Sequence, residues 1–207
     1  MKKENRYYFN IVIGLFITTF IASIIISYRT LETDKLLAPA GVVIYPLVYF
    51  LSTIYFKKFG KKETFDLILN AMVALIFFGL LLLIANAITV GDYVDGFESL
   101  FNVDFRMLIA AVLSFFVGLN INLSIFSMLK VSRKSNFLVS GIIGISVDSF
   151  IFIVLSFFGR VTAKTLLLLI SSQFIVSILI ISALALLFAN IVPDTFAPPI
   201  RIDFDDK

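Results

Sequence analysis

A single carboxylate stands in the middle of an apolar run that is about long enough to cross a bilayer. Residues 137–159 read Phe-Leu-Val-Ser-Gly-Ile-Ile-Gly-Ile-Ser-Val-Asp-Ser-Phe-Ile-Phe-Ile-Val-Leu-Ser-Phe-Phe-Gly, with Asp148 at the centre. On insertion scales an ionised Asp at the middle of a membrane helix costs roughly 2.5–3.5 kcal/mol. A chain carries such a group when it faces a partner, a cavity or a ligand, or when it stays neutral. Gly141 and Gly144 precede Asp148 by seven and four residues, so the three share one helical face. That face is small and polar and the others are Ile, Val, Leu and Phe, so Asp148 is expected to point inward. No basic residue lies deep in any apolar run, which leaves the carboxyl without an internal salt-bridge partner. Two chemistries fit it: binding of a proton, or hydrogen bonding to a polar ligand. The alternative is a structural carboxylic acid bonded to a neighbouring helix.

Other intramembrane polar groups could share that site. Ala111, Ser114, Gly118 and Asn122 form one stripe, where small residues let helices approach closely and Asn122 can serve packing or a ligand. Asn120 points elsewhere. Gln173 and Ser177 lie one turn apart on the last apolar run, near Ser171 and Ser172. Serines can return their hydrogen bonds to their own helix, so Gln173 is the candidate there. Thr53, beside Ser52, follows Pro46, and a proline within a span frees a carbonyl that must find a partner, which makes that bend a candidate cavity wall. Tyr45 and Tyr49 could stack on a flat ligand. The expected site is therefore Asp148, Asn122, Gln173, Thr53 and Tyr49, with Asp148 also the proton-binding candidate. The stretches Gly118-x-x-x-Asn122-x-x-Ile125-Phe126 and Gly144-x-x-x-Asp148-x-x-Ile151-Phe152 echo one another. Adjacent helices cross in opposite directions, so the echo fits either chance or an inverted repeat, which transporters build around a midplane site.

The elements that position these groups are membrane spans. Of 207 residues 60% are hydrophobic, and the mean hydropathy is +1.05, against roughly 45–50% apolar residues in soluble domains. The fold expected is all-α, a polytopic bundle of six transmembrane helices over residues 1–191, followed by a mobile tail at 192–207 with three prolines and mixed charge. The spans fall at about Phe9–Ser27, Leu36–Phe56, Leu67–Thr89, Met107–Leu129, Phe137–Phe158 and Lys164–Ile191. With both termini inside, the cytoplasmic segments hold twelve Lys and Arg, including Lys57, Lys58, Lys61 and Lys62, and the outer ones five. That bias predicts N-in/C-in. The first run is too long for a signal-peptide core and lacks a small-residue cleavage site, so it reads as a retained helix. The net charge of +3 is distributed as topology demands and gives no argument for nucleic acid. With no Cys and no His, thiol chemistry, Cys metal sites and the commonest proton relay are excluded. No phosphate-binding Gly-rich loop occurs, so the expectation is a non-enzyme with no cofactor and no metal, which does not itself hydrolyse ATP.

The order of these features resembles a known family. Tyr45-Pro46-Leu47-Val48-Tyr49-Phe50-Leu51-Ser52 through Gly60-Lys61-Lys62 resembles the second-helix signature of the VUT family of queuosine precursor transporters. Ile109-Ala110-Ala111 through Asn122, Ile125-Phe126 and Lys130 resembles its fourth helix, and Ser140 through Asp148-Ser149, Ile151-Phe152 and Gly159 its fifth. Ser172-Gln173-Phe174 is similar to the start of its sixth-helix motif. The resemblance covers about residues 36–185 and implies a bacterial inner-membrane importer of deazaguanine bases, compounds used to modify tRNA. Family members are similar to the substrate-binding subunits of importers that work with a separate ATPase. The chain departs from the pattern at Thr53 and Lys57, where the family has Asp and Glu, at Leu119 and Asn122 for a Gln–Asp pair, at Ile145 for Gln, and at Ser177 for Lys. A site that pairs the hydrogen-bonding edges of a base discriminates strongly, so these changes bear on the ligand more than on the fold. Three readings follow: an importer of a small polar, vitamin-like molecule; a binding subunit needing a coupling ATPase, with Gly14, Thr18 and Ala22 as the docking face; and a non-transporting membrane protein that assembles with a partner. The partners implied are the bilayer, a small-molecule substrate and either a second copy or a coupling subunit.

Overall fold

The computed structural model describes residues 3–33, 36–88, 104–129 and 132–191. Six helices occur there: α1 (Lys3–Ser27), α2 (Pro46–Phe59), α3 (Lys61–Ile88), α4 (Phe105–Met128), α5 (Arg133–Phe157) and α6 (Ala163–Ile191). All but α2 are long and apolar enough to cross a membrane. The protein is thus an all-α, multi-pass membrane protein. The acidic stretch 92–98 and the tail at 192–207 lie outside the described residues.

Helix α2 differs from the expected span Leu36–Phe56. The chain leaves α1 as a short antiparallel hairpin, β1 (Thr30–Thr33) and β2 (Leu36–Pro39), with Thr30 opposite Pro39 and Thr33 opposite Leu36. A 3₁₀ turn at Ala40–Val43 follows, and only at Pro46 does α2 begin, with proline in its first turn. There a missing N–H is harmless and the fixed φ suits a helix. Pro39 and Pro46 thus bracket the irregular stretch rather than kink a continuous helix. Non-helical backbone at such a place must be satisfied by protein. Here β1 pairs with β2, the Ala40 N–H donates to Arg29 O at 2.7 Å, and the Leu37 N–H donates to Ser172 Oγ, well inside α6, at 3.0 Å. Gly60, at φ 89°, closes α2 and turns the chain directly into α3.

Helices α4 and α5 make the most extensive contact between any two described elements. Each end of this pair is clasped by a side chain that takes the last carbonyls of the opposite helix. At one end Asn136 Nδ2 donates to Phe126 O at 2.8 Å and Leu129 O at 3.2 Å. At the other, Arg106 donates from Nε to Leu155 O and from Nη2 to Phe158 O, the latter at 2.6 Å. Asp104 caps α4 through the Arg106 and Met107 N–H groups and forms an ion pair with Arg160. The Arg160 guanidinium, hydrogen-bonded to it, holds the Asp104 carboxyl below its usual range. A depressed carboxylate contributes its stability above the unfolded value and loses it as pH falls through the folded one, so this clasp is constant between roughly pH 5 and 8.

Helix α2 touches all five other helices, and its contacts with α4 and α5 are the slightest of the five. The outward faces are apolar: Val73, Phe77 and Ile84 on α3 and Leu167 and Leu179 on α6 are well exposed, as a lipid solvent requires.

Asn136→Ala removes both donors at the α4 terminus and is expected to cost about 1–3 kcal/mol, because buried acceptors lose their partner. Asn120 only donates back to Phe116 O of its own helix, at 2.7 Å. Asn120→Ala is therefore expected to leave thermal unfolding in detergent unchanged or slightly improved, while Asn136→Ala lowers the midpoint.

Candidate functional site

In the middle of α4 and α5 the two backbones come very close. A Cβ added at Gly144 would lie 2.9 Å from Gly118 O and 2.6 Å from Asn122 Cβ. One added at Gly118 would lie 3.0 Å from Gly144 O and 2.5 Å from Asp148 Cβ. The relation is reciprocal: each glycine faces the other's carbonyl and the polar residue one turn beyond it. It runs further along both helices, since Ser114, Gly118, Asn122 and Phe126 are buried on one, and Ser140, Gly144, Asp148 and Phe152 on the other. The echo between the two stretches thus has a three-dimensional counterpart, extended by the serine pair at Ser114 and Ser140.

Helix α2 lies across this contact and meets it in two rungs, one helical turn apart. On the first, Tyr49 Oη donates to Asp148 Oδ2 at 2.9 Å; the tyrosine is wholly buried and Asp148 is 2% exposed. Ser114 and Tyr45 also approach the Asp148 carboxyl. On the second, Asn122 Nδ2 donates to Thr53 Oγ1 at 3.4 Å. Thr53 Oγ1 in turn donates to Tyr49 O at 2.8 Å, and Ser52 Oγ donates to the same carbonyl at 2.9 Å. Asn122 Oδ1, fully buried, has no hydrogen-bond partner. The Tyr49 ring sits against both glycines: added Cβ atoms at Gly118 and Gly144 would meet its hydroxyl and its Cε1, the latter at 3.0 Å. An aromatic wall continues away from it, with Tyr45 at 5.9 Å centroid separation from Tyr49 and 6.4 Å from Phe20, and Phe20 stacked on Phe115 at 3.8 Å.

Four of the five expected residues, Asp148, Asn122, Thr53 and Tyr49, therefore converge. Gln173 is buried on α6 but bonds Ser149 Oγ at 3.2 Å, beside Asp148 and not on the rungs; its Oε1 has no partner. Ser149 and the Ser114–Ser140 pair were not singled out as ligand candidates. For Ser149 the signal was its place next to Asp148, facing the last helix. Among the described residues no three acidic side chains gather to hold a metal. What the arrangement offers is a carboxyl and an amide oxygen as acceptors, on a small-residue floor with aromatic walls.

The family described as putative vitamin uptake transporter matches residues 39–192, about three quarters of the chain. No curated protein and no solved structure matches it.

Gly144→Ala would press a methyl group against the Asn122 Cβ and the Gly118 backbone, and overpacking of that kind costs about 1–3 kcal/mol. Gly14, also inside a helix but with nothing near a Cβ placed on it, is the control, since there alanine adds only its helix preference of about 0.5–1 kcal/mol. In detergent the first variant is expected to unfold several degrees lower and the second with the parent or slightly above it.

Proposed function

The chain belongs to the vitamin uptake transporter family, and from that premise we propose that it imports a small, flat, polar molecule, a deazaguanine precursor of queuosine, across a bacterial inner membrane. The observation that carries this reading is the place of the Tyr49 phenol. It lies against Gly118 and Gly144 with its hydroxyl on Asp148, so the slot admits a planar ring whose edge donates a hydrogen bond. One turn further, the partnerless Asn122 Oδ1 offers a second acceptor. A purine-like base presents N–H donors along one edge and meets both. Of the altered positions, Leu119, Ile145 and Ser177 are buried, and Thr53 and Asn122 form the second rung themselves.

In this reading Asp148 and Asn122 accept from the ligand, Tyr49 and Thr53 hold those two groups until it arrives, Tyr45 provides ring surface, and Gln173 bonds Ser149 beside Asp148. Asp148 also carries the coupling proton. The energetic argument is differential: a ligand that restores partners to buried acceptors gains what an analogue lacking those donors loses.

The test is uptake in a bacterium that neither makes queuosine precursors nor imports them. With limiting precursor, expression of the chain is expected to restore queuosine in tRNA, and Asp148→Asn to reduce it at least tenfold at equal protein level. Uptake by the parent is expected to rise as external pH falls from about 8 to 6, a range in which the Asp104–Arg160 clasp is constant, and residual uptake by Asp148→Asn to be flat. Absence of rescue with the protein in the membrane overturns the substrate, and equal uptake by the parent and Asp148→Asn overturns the site.

A further inference from the structure

The site as it stands is filled by the protein itself. Tyr49 places an aromatic ring over the Gly118–Gly144 contact and an O–H on Asp148, which is what the proposed ligand would do. The two sides of that contact differ in how they are held. The α4–α5 pair is clasped at one end by Asn136 and at the other by Arg106 and the Asp104–Arg160 ion pair. Between the ends the backbones meet too closely to slide, because Gly118 and Gly144 each lie against the other's carbonyl oxygen. Helix α2 is held differently. It has only the residues Pro46–Phe59, begins after an irregular stretch and ends at Gly60 with φ 89°. Its contacts with the pair include the Tyr49 ring against both glycines and its hydroxyl on Asp148, the long Thr53–Asn122 bond of 3.4 Å, and the edge contacts Phe50–Phe137 and Phe56–Phe126.

The second rung is incomplete. Asn122 donates to Thr53, but its Oδ1 is buried without a partner. A buried acceptor left unsatisfied is a standing penalty on this arrangement. A ligand that both replaces the Tyr49 hydroxyl at Asp148 and donates to Asn122 removes it, which supplies the differential affinity that a ligand-driven change requires.

We propose that Tyr49 is an internal stand-in for the ligand, and that α2 withdraws from a fixed α4–α5 pair to exchange one for the other. This rests on the reading of the Asp148 region as the ligand site, but it makes a claim about motion that can be measured without any substrate. Tyr49→Phe keeps the ring and removes the bond to Asp148. A hydrogen bond to a carboxyl group corresponds to roughly a ten- to hundredfold bias in a two-state equilibrium, so the variant populates the withdrawn state that the parent holds at low level.

The chain has no Cys, so two introduced cysteines give clean spin-label pairs in the full-length protein in nanodiscs. Lys58→Cys with Leu155→Cys spans α2 and α5, and Met128→Cys with Leu155→Cys spans the α4–α5 pair. Met128 and Leu155 are exposed. The expected result is one distance for both pairs in the parent, and a second, longer distance for the α2 pair alone in Tyr49→Phe. A single unchanged distance for the α2 pair in Tyr49→Phe overturns the proposal, and so does a new distance within the α4–α5 pair. If Tyr49→Phe does not fold, Asp148→Asn in the same label pairs gives the same decision, since it weakens the bond from the other side. Loss of precursor uptake in the parent with the two-distance result intact would discard the substrate and keep the gate.

Discussion

The approach of two backbones at Gly118 and Gly144 is the constraint on which the rest of this structure depends. Lipid gives helices no hydrophobic reason to associate, so contact must come from packing and from polar groups that need partners. Two glycines facing each other's carbonyls let α4 and α5 come close enough for Asn122 and Asp148 to lie over the opposite helix. The same closeness brings the helix termini within reach of Asn136 and Arg106, which satisfy carbonyls that a helix end leaves open. Widening the pair by a methyl group would loosen the clasps and separate the rungs together. Packing, capping and site geometry are here one constraint seen at three positions.

The irregular entry to α2 follows from that geometry. A continuous helix from Leu36 would carry its backbone bonds internally and need no neighbours. The chain instead takes a hairpin and a 3₁₀ turn whose polar groups are met by Arg29, by Ser172 and by the strand pair itself. Irregular backbone among membrane helices is tolerated where protein surrounds it or a cavity needs it, and transporters place broken helices at their binding sites. Starting at Pro46, α2 puts Tyr49 in its first turn, opposite Asp148, and Thr53 one turn on, opposite Asn122. The register of a short helix thus selects which side chains cross to the α4–α5 pair.

Most of the spans were legible because the bilayer reverses the usual problem. In a soluble protein the core must be found among polar surroundings; here nearly everything is apolar, and the few small or polar residues mark the inside. Asp148, Asn122 and Thr53 stood out for that reason, and helix ends from α3 to α6 fell within a few residues of expectation apart from the start of α3, where Lys61–Asp66 extend the helix beyond its apolar part. The same logic failed at residues 36–45. Their composition is as apolar as a span, and nothing in hydropathy separates a strand packed on Ser172 from a turn of helix. Gln173 was legible as buried and polar, but not which neighbour it would meet, because that depends on the rotation of α6 against α5. The pairing of Tyr49 with Asp148 depends on where α2 starts, and was out of reach for the same reason.

The positions where the chain departs from the pattern it resembles are informative once the reciprocal relation between α4 and α5 is known. Leu119 and Ile145, which stand where that pattern carries Gln, follow Gly118 and Gly144 directly and so occupy equivalent places on the two helices. Both are wholly buried. Removing one polar partner from a low-dielectric interior strands the other, whereas replacing both members of a set by apolar groups can be nearly neutral. Here both places are aliphatic together, while the acceptors one turn beyond each glycine, Asn122 and Asp148, are kept, one neutral and one acidic. With both rungs acidic, two like charges would lie about one turn apart in a dry interior and repel each other. With Asn122 the second rung keeps its acceptor without that repulsion.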